Sequence, residues 1–331
     1  MSTPEEILDC LGNPSFSRCP QSSNPQLAPT ENNGLNVYSY NFEFRSYRHE
    51  MYFLPGQLAI NSHCIKQCVD ARDNVRRVAS FIRDVLQHEL PNGTTAQYTS
   101  SINCVENPGQ TEWRNAAWLD KQKQAIFGQC IINEQLRSFA TSPDLVAHEF
   151  FHGLSYQIVE FEYCGQSGAL DESYADIFGV LVANFENSDI ATWNWEIGSG
   201  FGEDGRAIRN LRVPGCYGQP EHMDDYRSFP DDDDCGGVHY NSGIHNKAAY
   251  YLLSSQDAQG NYLFDASSGS KLFYLALRQL SEQSVFSDSR RAIQQVARTL
   301  FRRDLAKVEK LNAIATAFDN VGIGDNLGIF E

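Results

Sequence analysis

The run His148-Glu149-Phe150-Phe151-His152 sets two imidazoles four positions apart with a carboxylate between them. On a helix that spacing stacks both rings on one face, one turn apart, where they can share a single metal ion. Glu149, one residue round from His148, can take a proton from a water on that metal. A chain of ordinary composition meets such a five-residue pattern by chance roughly once in a hundred times. His49-Glu50 and His88-Glu89 are two further His-Glu pairs, but Phe53 and Asn92 stand where a second imidazole would be needed. Those two pairs read as surface or structural residues.

A catalytic zinc site takes three protein ligands and keeps a fourth position open. Over residues 169–184, Leu170, Tyr174, Ile177, Phe178, Leu181 and Val182, continued by Phe185, form an apolar stripe, which predicts an amphipathic helix. Glu172 lies near its start, 20 residues after His152. A helix, a reversal and a second antiparallel helix would bring it beside the two imidazoles. Asp176, one turn later, is placed to accept the other N–H of a liganding histidine and fix its tautomer. Alone, two acids near a helix N-terminus would read as support for the helix dipole. Joined to the histidine pair, they read as metal chemistry.

The elements that must hold these side chains follow from patterning. Ser142, Pro143 and Asp144 supply a capping hydroxyl, a first-turn proline and an early carboxylate, which predicts a central helix over 142–160. Before it, residues 37–60 alternate and are rich in aromatics (Val37, Tyr38, Tyr40, Phe42, Phe44), and strand-like pieces at 96–104 and 123–132 flank 113–118. Between them, Val75, Val78, Phe81, Ile82, Val85 and Leu86 predict one long helix over 70–90, stopped by Pro91, Asn92 and Gly93. From 142 onward the pattern is mainly helical. The expectation is an α+β protein of two lobes: a strand-rich N-terminal lobe with one long helix, 1–141, and a helical lobe, 142–331, with the zinc helix at the boundary. Residues 1–35, rich in Pro, Asn and Ser, predict a loop-like lead-in.

Composition narrows the function classes. A chain of 331 residues with 41% hydrophobic and 21% charged residues has enough core for a large enzyme domain or two lobes. Twenty-six basic against 42 acidic residues leave a net charge of −16, a field that repels polyanions, so no nucleic-acid partner is expected. Arg290, Arg291, Arg298, Arg302, Arg303, Lys307 and Lys310 read as a solvated helix face, and Asp231 to Asp234 as a solvated acidic loop. No apolar run approaches the roughly 18 residues of a membrane span, and residues 1–9 are polar and acidic, unlike an export signal. Nine cysteines, Cys10, Cys19, Cys64, Cys68, Cys104, Cys130, Cys164, Cys216 and Cys235, point to an oxidising compartment, the odd count leaving at least one unpaired. Cys64 and Cys68 have metal-like spacing without a second pair to complete a zinc site.

The run Leu145-Val146-Ala147-His148-Glu149, followed by Ser167-Gly168-Ala169-Leu170-Asp171-Glu172-Ser173-Tyr174-Ala175-Asp176-Ile177-Phe178-Gly179, resembles the zinc core of the thermolysin-like metalloendopeptidases, the gluzincins. Gly236-Gly237-Val238-His239-Tyr240-Asn241-Ser242-Gly243-Ile244, continued by Asn246-Lys247-Ala248-Ala249-Tyr250, and Asn115-Ala116-Ala117-Trp118 are similar to two further blocks of that family. The resemblance holds from about residue 70 to the C-terminus. It implies an active-site cleft between the lobes and one catalytic zinc on His148, His152 and Glu172, with Glu149 activating the water and carrying its proton to the leaving amine. Tyr163 and His239 would stabilise the oxyanion, and Asp234 would orient the His239 imidazole and favour its protonated form. Asn115, the Ala116 backbone and Arg209 would hold the substrate main chain as an added strand. Leu136, Phe139, Leu145, Ile197 and Ile208 would line the pocket for the residue after the scissile bond. Taken singly, Tyr163 reads as packing, His239 as a loop imidazole, Arg209 as a structural ion pair and the five apolar residues as core.

The family often carries calcium beside the zinc helices. Asp144 and Glu196 match that acidic cluster, but Ala183, Asn194 and Ser199 replace expected carboxylates, so the usual double Ca2+ site is not expected and a single ion is the most that fits. Disulfides are candidate staples instead: Cys104 with Cys130, and Cys216 with Cys235, although sequence does not fix the pairing. Family members are made with an export signal and an inhibitory pro-segment, and the expectation here is a processed form, extracellular or in another oxidising compartment. The reading is a secreted-type zinc endopeptidase that cuts on the N-terminal side of bulky hydrophobic residues by attack of a zinc-bound water activated by Glu149. A peptide or protein substrate, a protein inhibitor or pro-segment as a further partner, no membrane span and a monomeric state complete it. The alternatives are a non-catalytic zinc-binding adhesion or decoy protein on a protease fold, which would be expected to lack the base or an oxyanion group, and a structural zinc site, which needs a fourth protein ligand.

Overall fold

A computed structural model describes residues 6–8, 14–16, 35–50, 57–58, 65–88 and 96–325. Most of the expected lead-in, Cys10, Cys19, Cys64, Glu89, the helix stop at Pro91, Asn92 and Gly93, and the side chains of Glu50 and Cys68 lie outside the described residues. The chain divides into two compact units, Met1–Gly153 with Gly198–Arg206, and Leu154–Ile197 with Ala207–Glu331.

The first unit is built on a six-stranded mixed sheet. A two-stranded ribbon, β1 (Glu6–Leu8) with β2 (Pro14–Phe16), stands apart from it. In the sheet, β3 (Asn36–Asn41) runs parallel to β5 (Gln97–Ile102), which runs parallel to β7 (Gln124–Ile132). The short β4 (Gln57–Leu58) pairs antiparallel with β3, and β6 (Trp113–Leu119) and β8 (Gln135–Ser138) pair antiparallel with β7. Parallel strands cannot be joined by a tight turn, and the crossover from β3 to β5 carries α2 (Ile65–Ser80). That helix passes into a π-helical turn, Phe81–Val85, where the Leu86 N–H donates to the Phe81 carbonyl. A helical turn at α1 (Tyr47–Glu50) interrupts the aromatic stretch that patterning assigned to strands. It sinks Tyr47 into a core of Phe42, Val105, Trp113, Leu119 and Ile126, so burial rather than strand pairing explains that aromatic.

α3 (Pro143–Ile158) begins where the proline and cap predict, with the Ser142 hydroxyl donating to the Asp144 carboxylate. Its aromatics set its rotation. Phe150 meets Tyr98 and Trp118 at ring-centroid distances of 5.9 and 5.7 Å, and Phe151 meets Phe81 at 6.3 Å. From α2, Asn74 and Gln67 donate to the Ala140 and Leu136 carbonyls, tying that helix to the segment that leads into α3.

The second unit is helical: α4 (Gly165–Asn184), α5 (Asp234–Leu253), α6 (Ala266–Leu277), α7 (Phe286–Leu300) and α8 (Lys307–Asp319). A two-residue ribbon pairs β9 (Glu196–Ile197) with β10 (Arg209–Asn210). α4 is not amphipathic in its surroundings. From Ser167 to Val182 every residue is buried, because small side chains admit neighbouring helices and its acids are paired. Asp171, for example, accepts from the Ser155 hydroxyl. The basic run at the C-terminus is not uniformly solvated either. Arg290 is buried and pairs with Asp319 at 2.6 Å and Asp325 at 2.8 Å, and Lys310 is buried on Asp304 at 2.6 Å. Among the described residues no helix is long and apolar enough to cross a membrane.

The two candidate disulfides are not formed. Cys104 and Cys130 are buried free thiols, as is Cys235, which leaves no bridge to Cys216. Register explains the first pair: the Cys104 N–H bonds to the Phe127 carbonyl. In a parallel ladder the carbonyl that receives an N–H belongs to the residue before its register partner, so Cys104 faces Gly128. Cys130 then stands two residues, about 7 Å, further along a strand about 4.8 Å away, a separation beyond the roughly 7 Å limit for a bridge.

His245 in α5 is fully buried, with the rings of Tyr174, Phe286 and Phe318 at 5.6, 5.8 and 5.7 Å. Desolvation pushes its pKa down to about 3. The unfolded imidazole binds a proton near its ordinary pKa of about 6.5, and the folded one does not. Stability from this group is therefore complete above about pH 6.5 and is lost as pH falls toward 3, at up to about 1.4 kcal/mol per pH unit. Denaturant titrations of wild type and His245→Asn across that window are expected to show the extra acid slope in wild type only.

Candidate active site

The reacting groups sit on α3, on α4 and at the start of α5. One ligand atom each from His148, His152 and Glu172 lies within 4.8 Å of the other two. The Nε2 atoms of His148 and His152 are 3.0 Å apart, near the ~3.4 Å that two donors on one tetrahedral zinc would keep. His148 and Glu172 are 1% exposed. Two imidazoles and one carboxylate are the donor types zinc takes in sites that keep an open position, so the residues fit the ion. Glu149 is equally buried, at 1% exposure, one residue round α3 from His148.

Tyr163 precedes α4, and its hydroxyl donates to Glu172 Oε1. His239 approaches from α5, with its Nε2 3.5 Å from the Tyr163 hydroxyl and 3.5 Å from Glu172 Oε1. Asp234 holds the other side of that ring, its Oδ1 2.5 Å from His239 Nδ1. A carboxylate can only accept here, so Nδ1 carries the proton. Asp234 Oδ2 also accepts the Tyr240 N–H at 3.1 Å, which anchors the acid to the first turn of the regular helix. The backbone takes an unusual path to do this: Asp234, Cys235, Gly236 and Gly237 all have positive φ, at 51°, 46°, 80° and 81°. Two glycines are needed because a Cβ at Gly236 would meet the Gly165 nitrogen at 2.9 Å and one at Gly237 would meet Phe229 at 2.3 Å. This left-handed turn aims Asp234 back at His239 and takes it out of the otherwise exposed acidic stretch 231–233.

Arg209 on β10 donates from Nε and Nη2 to both oxygens of Asp176, at 2.8 and 2.7 Å. The Asp176 side chain is wholly buried while that of Arg209 is 13% exposed. The Asn246 amide adds a third donor to Asp176, at 2.9 Å. Asn246 has no evident role from sequence alone; its spacing from His239 on one helix is the signal that points to it.

Asn115 and Ala116 lie on β6, which among the described residues pairs with β7 alone. The ladder shifts register between Trp113 and Ala116, leaving Asn115 at a bulge. The bulge requires Gly128 opposite, where a Cβ would stand 1.9 Å from the Trp113 carbonyl and 2.8 Å from that of Asn115. Asn115 is 4% exposed, and its Nδ2 has no hydrogen-bond partner among the described residues. Of the five apolar candidates, Phe139 and Leu145 are buried in the first unit, where Leu136 is half-buried. Ile197 is buried in the second unit, where it accepts the N–H of half-buried Ile208. Of the calcium-matching acids, Asp144 accepts from Ser142 and the Gly198 N–H, and Glu196 accepts from the Tyr217 hydroxyl at 3.1 Å.

Comparison with known proteins agrees with this geometry. The family described as thermolysin metallopeptidase, catalytic domain, matches residues 29–155, and its alpha-helical domain matches residues 159–323. Neutral protease NprE of Bacillus pumilus is 31% identical over 286 residues, covering 83% of this chain and 86% of that protein. An extracellular elastase of Staphylococcus epidermidis is 30% identical over 256 residues, covering 77% of this chain and 46% of the elastase. The chain spans about half the length of most of the curated relatives it matches. Among solved structures, the precursor of protealysin, a metalloproteinase from Serratia proteamaculans, superposes with a TM-score of 0.73 at 25% identity, covering 90% of this chain and 91% of that one. The chain belongs to the thermolysin metallopeptidase family, with its HExxH-and-glutamate zinc triad on His148, His152 and Glu172.

Proposed function

We propose that the protein is a zinc endopeptidase that cuts peptide bonds on the N-terminal side of bulky hydrophobic residues. The observation that carries this reading is the convergence of the zinc triad with a buried Glu149 and with the Tyr163–His239 pair on one carboxylate, Glu172. When bound, zinc polarises the scissile carbonyl and acidifies water at the site. Glu149 takes the proton of the attacking water and returns it to the leaving amine. Tyr163 and His239 donate to the oxyanion that develops on the former carbonyl, with Asp234 fixing the His239 ring so that Nε2 faces the reaction. Asn115 offers its amide, and Ala116 its backbone, to an extended substrate along β6, and Arg209, held by Asp176, donates to a substrate carbonyl. Leu136, Phe139, Leu145, Ile197 and Ile208 are assigned to the pocket for the side chain after the scissile bond.

A double calcium site has no part in this reading. Extracellular placement is proposed from the elastase relative; Cys104, Cys130 and Cys235, as free thiols, give it no support. A monomer acting on peptide or protein substrates, restrained by a protein inhibitor or pro-segment, completes the proposal.

The test is cleavage of matched internally quenched peptides that differ only in the residue after the scissile bond. Leu or Phe there is expected to exceed Gly in kcat/KM by well over tenfold, since a single methylene in an apolar pocket is already worth roughly 10–200-fold. Cleavage without that preference would remove the specificity, and no cleavage of any peptide by zinc-loaded protein would remove the enzyme.

A further inference from the structure

A line of buried polar side chains runs behind Arg209, and the acceptor-only carboxylate at its end fixes a direction for each hydrogen bond when the His245 ring is neutral. Asp176 is paired at both oxygens with Arg209 and can only accept. Asn246 therefore turns its amide Nδ2 to Asp176, at 2.9 Å, and its carbonyl Oδ1 to Ser173, at 2.7 Å. Ser173 has one hydroxyl proton, and it goes to that carbonyl. The Ser173 oxygen must then accept from His245 Nδ1, 2.7 Å away, so Nδ1 carries the proton. In a neutral ring Nε2 is bare and accepts from the Ser289 hydroxyl at 2.9 Å, whose oxygen in turn accepts from Tyr174 at 3.0 Å. Ser173, Asp176, His245, Asn246 and Ser289 are 0% exposed and Tyr174 is 1%.

A core can satisfy one buried histidine with one partner. Here six groups are aligned in one sense, and the end of the line is the acid that aims Arg209. Such a network rigidifies what it terminates on, because no member can rotate without leaving a buried donor or acceptor unmet. We propose that His245 is a positioning residue that, through Ser173 and Asn246, locks the Asp176 carboxylate and thereby the aim of the Arg209 guanidinium. It rests on the reading of Arg209 as a donor to the substrate carbonyl, but its structural half can be tested without substrate.

Two measurements read that half. In protein labelled with 15N-histidine, two-bond 15N–1H correlations of His245, identified by their loss in His245→Asn, are expected to show a protonated Nδ1 and a bare Nε2. Exchange of the Arg209 Nε–H with solvent is expected to be at least tenfold faster in His245→Leu than in wild type. In His245→Asn, whose amide can reproduce the Nδ1 donor, it should stay within about twofold. An Nε2–H tautomer, or Arg209 exchange unchanged in His245→Leu, overturns the proposal whether or not the protein cleaves peptides. The kinetic half is a double-mutant cycle. His245→Leu is expected to lower kcat/KM about tenfold, chiefly through KM, and to have no further effect in an Arg209→Lys background. An equal loss in both backgrounds would show a general structural role and sink the proposal. Failure of the peptidase reading itself would appear as no cleavage by wild type, with the tautomer and exchange results still deciding the network.

Discussion

Glu149→Ala is expected to bind zinc as wild type does and to lose about 10²–10⁴-fold in kcat, the usual contribution of a positioned general base. The carboxylate is one residue from a zinc ligand on a rigid helix whose rotation is set by Phe150 and Phe151, so truncating it should leave His148 and His152 in place. Zinc content by metal analysis, the thermal midpoint and kcat on one peptide together decide the result. Retained zinc with lost turnover assigns proton transfer to Glu149. Unchanged turnover would overturn the mechanism, and loss of zinc along with turnover would make Glu149 part of the metal's hold instead. The same comparison discriminates against a decoy on a protease fold, since wild type and Glu149→Ala would then be equally inert.

Much of the site was legible because its central part is local. Helical spacing alone puts His148 beside His152, and Pro143, suited to a first turn, marks where α3 starts. Glu172 needed one further inference, a reversal between two helices, and the pattern of 169–184 supplied it. The surroundings of α4 were less legible. Its stripe implied one buried face, whereas all its faces are buried, because the polar positions Asp171 and Asp176 find Ser155, Arg209 and Asn246. Pairing across tens of residues leaves no periodic trace in a single sequence.

The same holds for the left-handed turn at 234–237 and for Arg290. A charged residue on a basic helix reads as solvated, and only the fold reveals the acids at Asp319 and Asp325 that let Arg290 go inside. The cysteine pairings failed for a related reason. Neighbouring strands bring two thiols to one sheet, but a bridge depends on register, and Cys104 and Cys130 are out of step. In the N-terminal half the alternation marks the strands, but it runs on through Tyr47, where the chain forms a short helix instead.

Removing the zinc should abolish cleavage without unfolding the protein, and this outcome separates a catalytic site from a structural one. A structural zinc carries folding energy outright, so its chelation denatures the domain. Here both ligand-bearing helices have apolar support of their own. Phe150 holds α3 on the sheet of the first unit and Phe151 holds it on the π-helical turn, and α4 is buried from Ser167 to Val182 in the second. Chelation is therefore expected to leave the circular dichroism spectrum intact and to lower the thermal midpoint only by the binding energy lost, which depends on free zinc relative to its Kd. Added zinc should restore kcat. Glu172→Ala, with one of three ligands gone and Tyr163 deprived of its acceptor, is expected to hold zinc more weakly and to regain little turnover at any zinc concentration that serves wild type. A chelated protein that unfolds would assign the ion a structural task, and one that still cleaves would remove the metal from the reaction.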